Sequence, residues 1–219
     1  MNTKEIFVIT ISREVGTGGR TVGRKLAGKL GVRYSDKDLV KELTKKFNLS
    51  SYEVERLKGE KKGWFADFIQ MVAPVPNASL FLNTSRRYSP DFCPDVSSDE
   101  IFGAESEIIR AIADEGSCVI AGRSGFFVLK DVPNKLDIFI TASRSKRISH
   151  LMHRQNIDAE QAGLLIDELD QNRDNYIKRY TGTSRYDLRN YDLVINMDNL
   201  TEDKAVELIL DFIHAQQTD

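Results

Sequence analysis

The chain has 219 residues, of which 41% are hydrophobic and 29% are charged, and its formal net charge is −2. This length is sufficient to bury a full hydrophobic core, and it suits one α/β domain with an inserted lobe or one large domain. The slight negative charge argues against a general nucleic-acid binder, because such proteins carry a basic excess that neutralises phosphates. We therefore expect no nucleic-acid partner.

The sequence favours a cytoplasmic protein without a membrane partner. Its longest apolar runs, such as residues 6–11, are far shorter than the roughly 20 residues of a membrane helix. The opening residues MNTKE lack the apolar region of a signal peptide. The two cysteines, Cys93 and Cys118, do not have metal-ligand spacing, and Cys118 lies in an apolar run that is typical of a buried strand.

The first predicted elements are a strand, a glycine-rich turn and a helix. The β-formers of EIFVITIS predict the strand, and Gly16, Gly18 and Gly19 predict the turn. An amphipathic helix is expected to begin near Arg20. Its apolar stripe consists of Val22, Leu26, Ala27 and Leu30. This arrangement directs backbone N–H groups and a helix N-terminus towards an anion, so a phosphate-bearing ligand is the first hypothesis.

The turn departs from the Walker A pattern G-x-x-x-x-G-K-[ST] in either possible register. If Gly18 is the second glycine of the pattern, Gly19 takes the lysine position and Arg20 the hydroxyl position. If Gly19 is the second glycine, Arg20 and Thr21 supply a cation and a hydroxyl. Glu14 then stands where the first glycine belongs.

Two other interpretations of the turn stay open. One is a glycine-rich turn that binds no ligand. The other is a dinucleotide site, since Gly16-x-Gly18-x-x-Thr21 approximates G-x-G-x-x-G and Asp36 could bind a ribose. The short second strand makes the dinucleotide site the weaker alternative.

Five apolar runs predict strands separated by helices. The runs are EIFVITIS, GVRYSD, SCVIAGR, KLDIFITAS and YDLVINMD. Most are continuously hydrophobic, as expected for parallel strands that are covered on both faces. A final helix is expected over residues 201–215, with Thr201 as its N-cap. The alternation predicts a doubly wound α/β fold with a five-stranded parallel sheet.

Two intervals do not fit this alternation. Residues 36–99 begin with a charged helical pattern and continue into a proline-containing stretch with little periodicity. Long segments of this kind inside a compact fold are usually lids or inserted lobes. Residues 143–187 predict two helices that are rich in arginine and lysine, and form a second candidate lobe.

Six segments follow one another in a recognisable order. They are the turn with Gly16, Gly18 and Thr21-Val22, then YSDKDL, Val119-Ile-Ala-Gly-Arg123, Phe139-Ile-Thr-Ala-Ser143 followed by Arg147, Arg173-Asp174, and YDLVINMDNLTEDKAVELI. In this order and spacing they resemble the cytidylate kinases, and especially the cytidylate kinase-like branch. The resemblance covers nearly the whole chain and is poorest from about residue 47 to residue 98.

The resemblance implies a nucleoside-monophosphate-kinase fold that uses ATP and Mg²⁺. The core would comprise residues 1–35, 100–142 and 188–219, with a substrate lobe at about 36–99 and an Arg-rich lid at about 143–187. The residues expected to bind the ATP phosphates are Gly16, Thr17, Gly18, Gly19, Arg20 and Thr21. The Thr21 hydroxyl would contact Mg²⁺, and Arg20 would neutralise phosphate charge. Each could instead be an ordinary residue of the first helical turn.

The acceptor side and the lid supply the other expected site residues. Arg123 follows a strand at its carboxyl end and would bind the acceptor phosphate, or else form an ion pair. Arg173 and Arg179 would close over the phosphates, unless they belong to a solvated helix face. Asp36 would bind the acceptor nucleoside or Arg123, or else cap a turn. Asp174 resembles the lid aspartate, with an i,i+4 pair to Lys178 as the alternative.

Three departures from the cytidylate kinases bear on activity. Gly19 stands at the loop lysine, Arg13 at the first loop glycine, and Ser124 at the aspartate that follows Gly-Arg. The expected activity is ATP-dependent phosphoryl transfer to a nucleoside monophosphate, with CMP or dCMP favoured by the resemblance. The alternatives are a nucleotide-binding regulatory module, a kinase for another small acceptor and, least favoured, a dehydrogenase.

Overall fold

The computed structural model describes residues 1–36, 97–122 and 124–217. Most of the expected substrate lobe, Cys93 and Arg123 therefore lie outside the described residues. The predicted division into core, substrate lobe and lid stays a prediction, although the described residues cover the expected lid completely.

The described residues contain one five-stranded parallel sheet. Its strands are β1 (Val8–Arg13), β2 (Arg33–Ser35), β3 (Cys118–Ala121), β4 (Lys135–Thr141) and β5 (Leu193–Asn196). They lie in the order β2-β3-β1-β4-β5, so β1 occupies the centre. Every neighbouring pair is parallel. All five predicted strands and the doubly wound class are confirmed.

Helices connect these strands. They are α1 (Gly19–Leu30), α2 (Ser98–Asp114), the short α3 (Gly125–Val128), α4 (Arg144–Gln155), α5 (Ala159–Thr181) and α6 (Glu202–Ala215). A 3₁₀ turn, Leu188–Asn190, precedes β5. The Thr201 hydroxyl accepts a hydrogen bond from the Lys204 amide, which confirms the predicted cap of the last helix.

The central strand shows why the sheet is covered on both faces. Ile9 and Ile11 belong to a core that includes Leu26 of α1 and Ile209 of α6. Val8, one residue out of phase, belongs to the opposite core with residues of α2 and β3. Successive side chains of a strand point to opposite faces, so a continuous apolar run supplies both cores.

Cys118 lies in the second of these cores and is fully buried. Burial raises the pKa of its thiol to about 11. A protonated buried thiol packs as a small apolar side chain, as the sequence predicted.

The two helices expected at residues 143–187 are α4 and α5. They share a separate apolar cluster that includes Leu151, Leu165 and Leu169, and Val15 of the glycine turn packs against this cluster. The turn is therefore in direct contact with the helical pair. Among the helices of the described residues, none is long and apolar enough to cross a membrane.

Two glycines near the end of α1 allow a matched test of where this helix ends. Gly28 lies inside the helix and Gly31 caps its end at a φ of 66°, and a Cβ at either position would meet no atom within 4 Å. Gly28→Ala should raise the free energy of unfolding by about 0.5–1 kcal/mol, because alanine loses less backbone entropy. Gly31→Ala should lower it by roughly 1–2 kcal/mol through strain in the left-handed region. Urea unfolding measures both, and changes of equal sign would contradict the assigned end of α1.

Candidate active site

The turn between β1 and α1 has the backbone of an anion-binding loop. Gly16 and Gly18 adopt left-handed φ values of 86° and 78°, which glycine reaches without strain. Gly18 is also the N-cap of α1. The Thr17 hydroxyl donates to the Glu14 carbonyl at 2.9 Å and accepts from the Gly19 amide at 3.4 Å. The loop therefore forms a fixed concavity at a helix N-terminus, where an anion is favoured.

Helix α4 supports this loop from one side. A Cβ at Gly16 would lie 2.7 Å from the Arg147 carbonyl oxygen, so only glycine allows the helix to pack this closely. The His150 Nδ1 atom lies 2.7 Å from the Gly16 carbonyl oxygen. His150 thus contributes to the shape of the loop.

Asp170 of α5 supports the loop next to this contact with α4. Its buried carboxylate accepts a hydrogen bond from the Val15 amide at 3.1 Å. It also accepts one from the Arg147 guanidinium at 2.5 Å, and that guanidinium lies 3.4 Å from the Glu14 carboxylate. The beginning of the loop, α4 and α5 are therefore joined through one buried carboxylate.

Two further arginines converge on Asp170. Arg173 and Arg185 lie 3.7 and 3.8 Å from its carboxylate, and Arg185 donates to the Arg13 carbonyl oxygen. The pKa of Arg173 is lowered to about 9, first by desolvation and then by the positive charges of Arg13 and Arg185. Desolvation is the main cause of this lowered pKa, and the neighbouring positive charges add to it.

Asp36 pairs with the two arginines that flank the loop, Arg13 at the end of β1 and Arg20 in α1. Its buried carboxylate lies 3.3 Å from the Arg13 guanidinium and 3.0 Å from that of Arg20. The Arg20 side chain is 42% exposed, whereas that of Arg13 is only 13% exposed. The predicted contacts of Asp36 with the acceptor nucleoside or with Arg123 involve groups that the structure does not describe, so they stay predictions.

We call these five arginines the arginine cluster: Arg13, Arg20, Arg147, Arg173 and Arg185. Their carboxylate partners are Glu14, Asp36 and Asp170, so five positive groups face three negative ones and this set carries a net charge of +2. Within the described residues, the buried Nε atoms of Arg147 and Arg185 have no hydrogen-bond partner. Both the charge excess and these donors favour a bound anion.

The other predicted site residues lie in different surroundings. Asp174 forms a 2.7 Å ion pair with Lys178, the predicted local alternative. It also accepts hydrogen bonds from the Ser184 hydroxyl and the Arg185 amide. These contacts lower its pKa, although burial alone would raise it. Arg179 lies 3.2 Å from Asp99 of α2.

Thr21 is the third residue of α1 and is partly exposed at the loop.

Arg123 is outside the described residues, although its neighbour Ser124 is described. Ser124 has a left-handed φ of 56° and a buried hydroxyl without a hydrogen-bond partner among the described residues. Non-glycine residues in this conformation are uncommon and concentrate at functional sites.

Sequence reasoning missed the two residues that organise the cluster. Asp170 and Arg185 lie in the expected lid, where their residue types give no signal among many similar charges. A usable signal for Asp170 was its place on the apolar stripe of a helix, next to Leu169 and Ile166. In the sequence, Arg13 stands out only as a departure from the glycine pattern.

A cavity of about 320 Å³ lies beside the cluster. Its lining consists of Arg147, Ile166, Asp167, Asp170, Gln171, Asp174 and Tyr186. Burial, followed by the charge of Asp170, raises the pKa of Tyr186 to about 12, so this phenol stays neutral. With three aspartates in its wall, the cavity is a poor place for a phosphate, and the glycine loop is the better one.

The glycine loop follows the central strand of the parallel sheet and is surrounded by arginines. A loop in this position and a sheet with this strand order define the fold of a P-loop kinase. Residues 8–199 match the model of the Cytidylate kinase-like family. The chain belongs to this family.

The chain is also similar to individual proteins and solved structures. A cytidylate kinase from Sulfurisphaera tokodaii is 27% identical over 213 residues, which cover 96% of this chain and 98% of that protein. An uncharacterized protein from Eubacterium ventriosum has the same fold, with a TM-score of 0.67, 22% identity and coverage of 95% and 98% of the two chains. Shikimate kinase from Acinetobacter baumannii, in complex with shikimate, has a TM-score of 0.54, 13% identity and 100% coverage of both chains. At these identities the solved structures show the fold alone.

Two ion pairs that differ mainly in burial allow a test of the role of Asp170. Arg147–Asp170 and Arg144–Asp167 both join α4 to α5, but the first has side chains 9% and 7% exposed and the second 52% and 60%. Asp170→Asn should lower the free energy of unfolding by about 3–5 kcal/mol, because it leaves buried arginine charge unpaired. Asp167→Asn should change it far less, because water screens an exposed pair. Equal losses in urea unfolding would show that burial does not distinguish the two contacts.

Proposed function

We propose that this P-loop kinase transfers the γ-phosphoryl group of ATP to a nucleoside monophosphate, with CMP or dCMP as the favoured acceptor. The observation that carries the proposal is the arginine cluster around the glycine loop, with its net charge of +2. Phosphoryl transfer depends mainly on positioning and on charge neutralisation, and this arrangement can supply both. The preference for a cytosine base rests on the family alone. The proposed setting is the cytoplasm.

The loop is the proposed ATP phosphate site. The backbone amides of Gly16, Thr17, Gly18, Gly19, Arg20 and Thr21 would surround the β-phosphate, and the N-terminus of α1 adds a favourable dipole. Arg20 would add charge at the exposed rim of the loop, where its side chain is 42% exposed.

The arginines beyond the loop would act on the transferred group and the acceptor. Arg173 lies beside Asp170 and would contact phosphate from the helical pair. Arg123 would bind the acceptor phosphate from the end of β3. Asp36 would orient the acceptor side, while Asp174 would hold the segment after α5 through Ser184. Arg179, beside Asp99, would contribute only if that ion pair opens.

The family implies the use of ATP and usually of Mg²⁺, and the loop fits both. Its left-handed glycines leave a concavity that side chains would fill, and a Cβ at Gly16 would strike the Arg147 carbonyl oxygen. Thr21 would provide the protein hydroxyl for Mg²⁺, since magnesium prefers oxygen ligands. The metal supplies charge neutralisation at the phosphates when bound.

A second candidate function is a nucleotide-binding regulatory module with little transfer activity. The observation that favours it is Gly19 at the position where a P-loop normally carries lysine. A kinase for another small acceptor is the remaining alternative. Most of the predicted acceptor lobe lies outside the described residues.

The deciding measurement is ADP release from Mg-ATP with CMP, dCMP, UMP, AMP, GMP or shikimate, together with calorimetric binding of ATP. We expect ADP release only when an acceptor is present, and the highest kcat/KM with CMP or dCMP. Turnover with shikimate alone would replace the nucleotide acceptor by a small one. ATP binding without turnover on any acceptor would favour the regulatory module, and no ATP binding would refute both nucleotide functions.

The role of the helical pair can be tested with the acceptor that this panel identifies. Arg173→Ala should lower kcat by at least about tenfold, because a preorganised charge contact with the transferred group is lost. Arg24→Ala is the matched control, since Arg24 is exposed on α1 and lies outside the arginine cluster. An unchanged kcat for Arg173→Ala would remove this residue from the proposed mechanism.

A further inference from the structure

Position 19 requires glycine because a neighbouring side chain leaves no room for a Cβ atom, and not because of its backbone conformation. Gly16 and Gly18 need glycine for their positive φ values, but Gly19 is the first residue of α1 and does not share this conformation. A Cβ at Gly19 would lie 2.8 Å from the Cβ and 3.0 Å from the Cγ of Arg13. The side chain of Arg13 therefore excludes any side chain at position 19, including lysine.

From this contact the side chain of Arg13 extends towards the carboxyl ends of β3 and β2. Its Nη1 atom lies 2.0 Å from where a Cβ at Gly122 would be, directly after β3. Its Nη2 atom lies 3.3 Å from the carboxylate of Asp36, directly after β2. The guanidinium is thus held between the glycine loop and the carboxyl ends of β3 and β2, which lie to one side of β1 in the sheet. Such ends are where α/β folds bind ligands.

Arg13 and Arg20 share one carboxylate. Both guanidinium groups lie within 3.3 Å of Asp36, so two positive charges meet beside the loop. The positive charges of Arg13 and Arg20 also lower the pKa of Arg173, after desolvation, so these two charges act on the region of Arg173.

We propose that Arg13 carries the positive charge that a lysine at position 19 would supply in an ordinary P-loop, and that its guanidinium contacts the phosphoryl group in transfer. This assignment rests on the proposed kinase function. In that reaction an acceptor phosphate oxygen forms a bond to the γ-phosphorus of ATP. The bond from that phosphorus to the β–γ bridging oxygen breaks, and ADP leaves with the electron pair. Arg13 transfers no proton in this step and acts through hydrogen bonds and charge.

The residue pair 13 and 19 can be tested by exchanging the two side chains. Arg13→Gly and Gly19→Lys as single variants should each lower kcat/KM by roughly 100-fold or more, the first by removing the charge and the second by displacing Arg13. The double variant restores the ordinary order of glycine and lysine. It should recover at least about tenfold over Arg13→Gly, since it returns a cation to the loop.

Four companion measurements make the test specific. Arg13→Lys, which keeps the charge, should retain more activity than Arg13→Ala. The loss in Arg13→Ala should appear mainly in kcat, because a contact made in the transition state lowers kcat more than it raises KM. Arg24→Ala, an exposed arginine on α1, should remain within about threefold of the wild type. Urea unfolding of every variant shows whether the fold survives.

The outcomes separate this assignment from the kinase function on which it rests. An active wild type with Arg13→Ala within threefold of it would overturn the role of Arg13 and leave the kinase function intact. A larger loss in Arg20→Ala than in Arg13→Ala would overturn it as well and transfer the role to Arg20. If Arg13→Gly unfolds, the comparison of Arg13→Lys with Gly19→Lys decides, and equal activity in these two would refute the assignment. A wild type that neither binds ATP nor releases ADP would refute the kinase function, and this assignment with it.

Discussion

The buried carboxylate of Asp170 is the contact on which the geometry of the site depends. It fixes the start of the glycine loop through the Val15 amide, and it pairs with Arg147 of α4 from its own position on α5. A buried carboxylate is tolerated only when it is both paired and hydrogen-bonded, and Asp170 satisfies both conditions. Because the loop, α4 and α5 share this one group, a displacement of any of them disturbs the other two.

This contact also makes the positive charge of the site possible. Arginines repel one another at short range, so a cluster of five needs fixed carboxylates to hold it together in the folded protein. Asp170 and Glu14 hold the arginines of α4, α5 and the following segment. Asp36 holds Arg13 at the end of β1 and Arg20 in α1. The remaining excess is not balanced within this set. Such an arrangement is preorganised for an anion, because the protein orders the charges before the ligand arrives.

The fold could be predicted from the sequence because its signals are local. The strands around Ile9 and Ile138 are rich in apolar β-formers, and Thr201 stands directly before a helical pattern. Neighbouring residues therefore suffice to place the strands and a cap. The site could be predicted only in part. The glycine loop is a local pattern, but the pair Arg147–Asp170 spans 23 residues and the pair Arg13–Asp36 also spans 23. Nothing along the chain distinguishes these partners from the many other charged residues, and only packing brings them together.

The two departures in the loop illustrate the same limit. Compared with the P-loop pattern position by position, Arg13 and Gly19 look like two independent losses, of a glycine and of a lysine. In the structure they are a single spatial change, because the side chain of Arg13 occupies the volume that a side chain at Gly19 would need. A missing lysine is evidence for lost catalysis only if no other cation can reach the loop. If Arg13 acts as we propose, it is such a cation, and Gly19 by itself then no longer favours the regulatory module over the kinase.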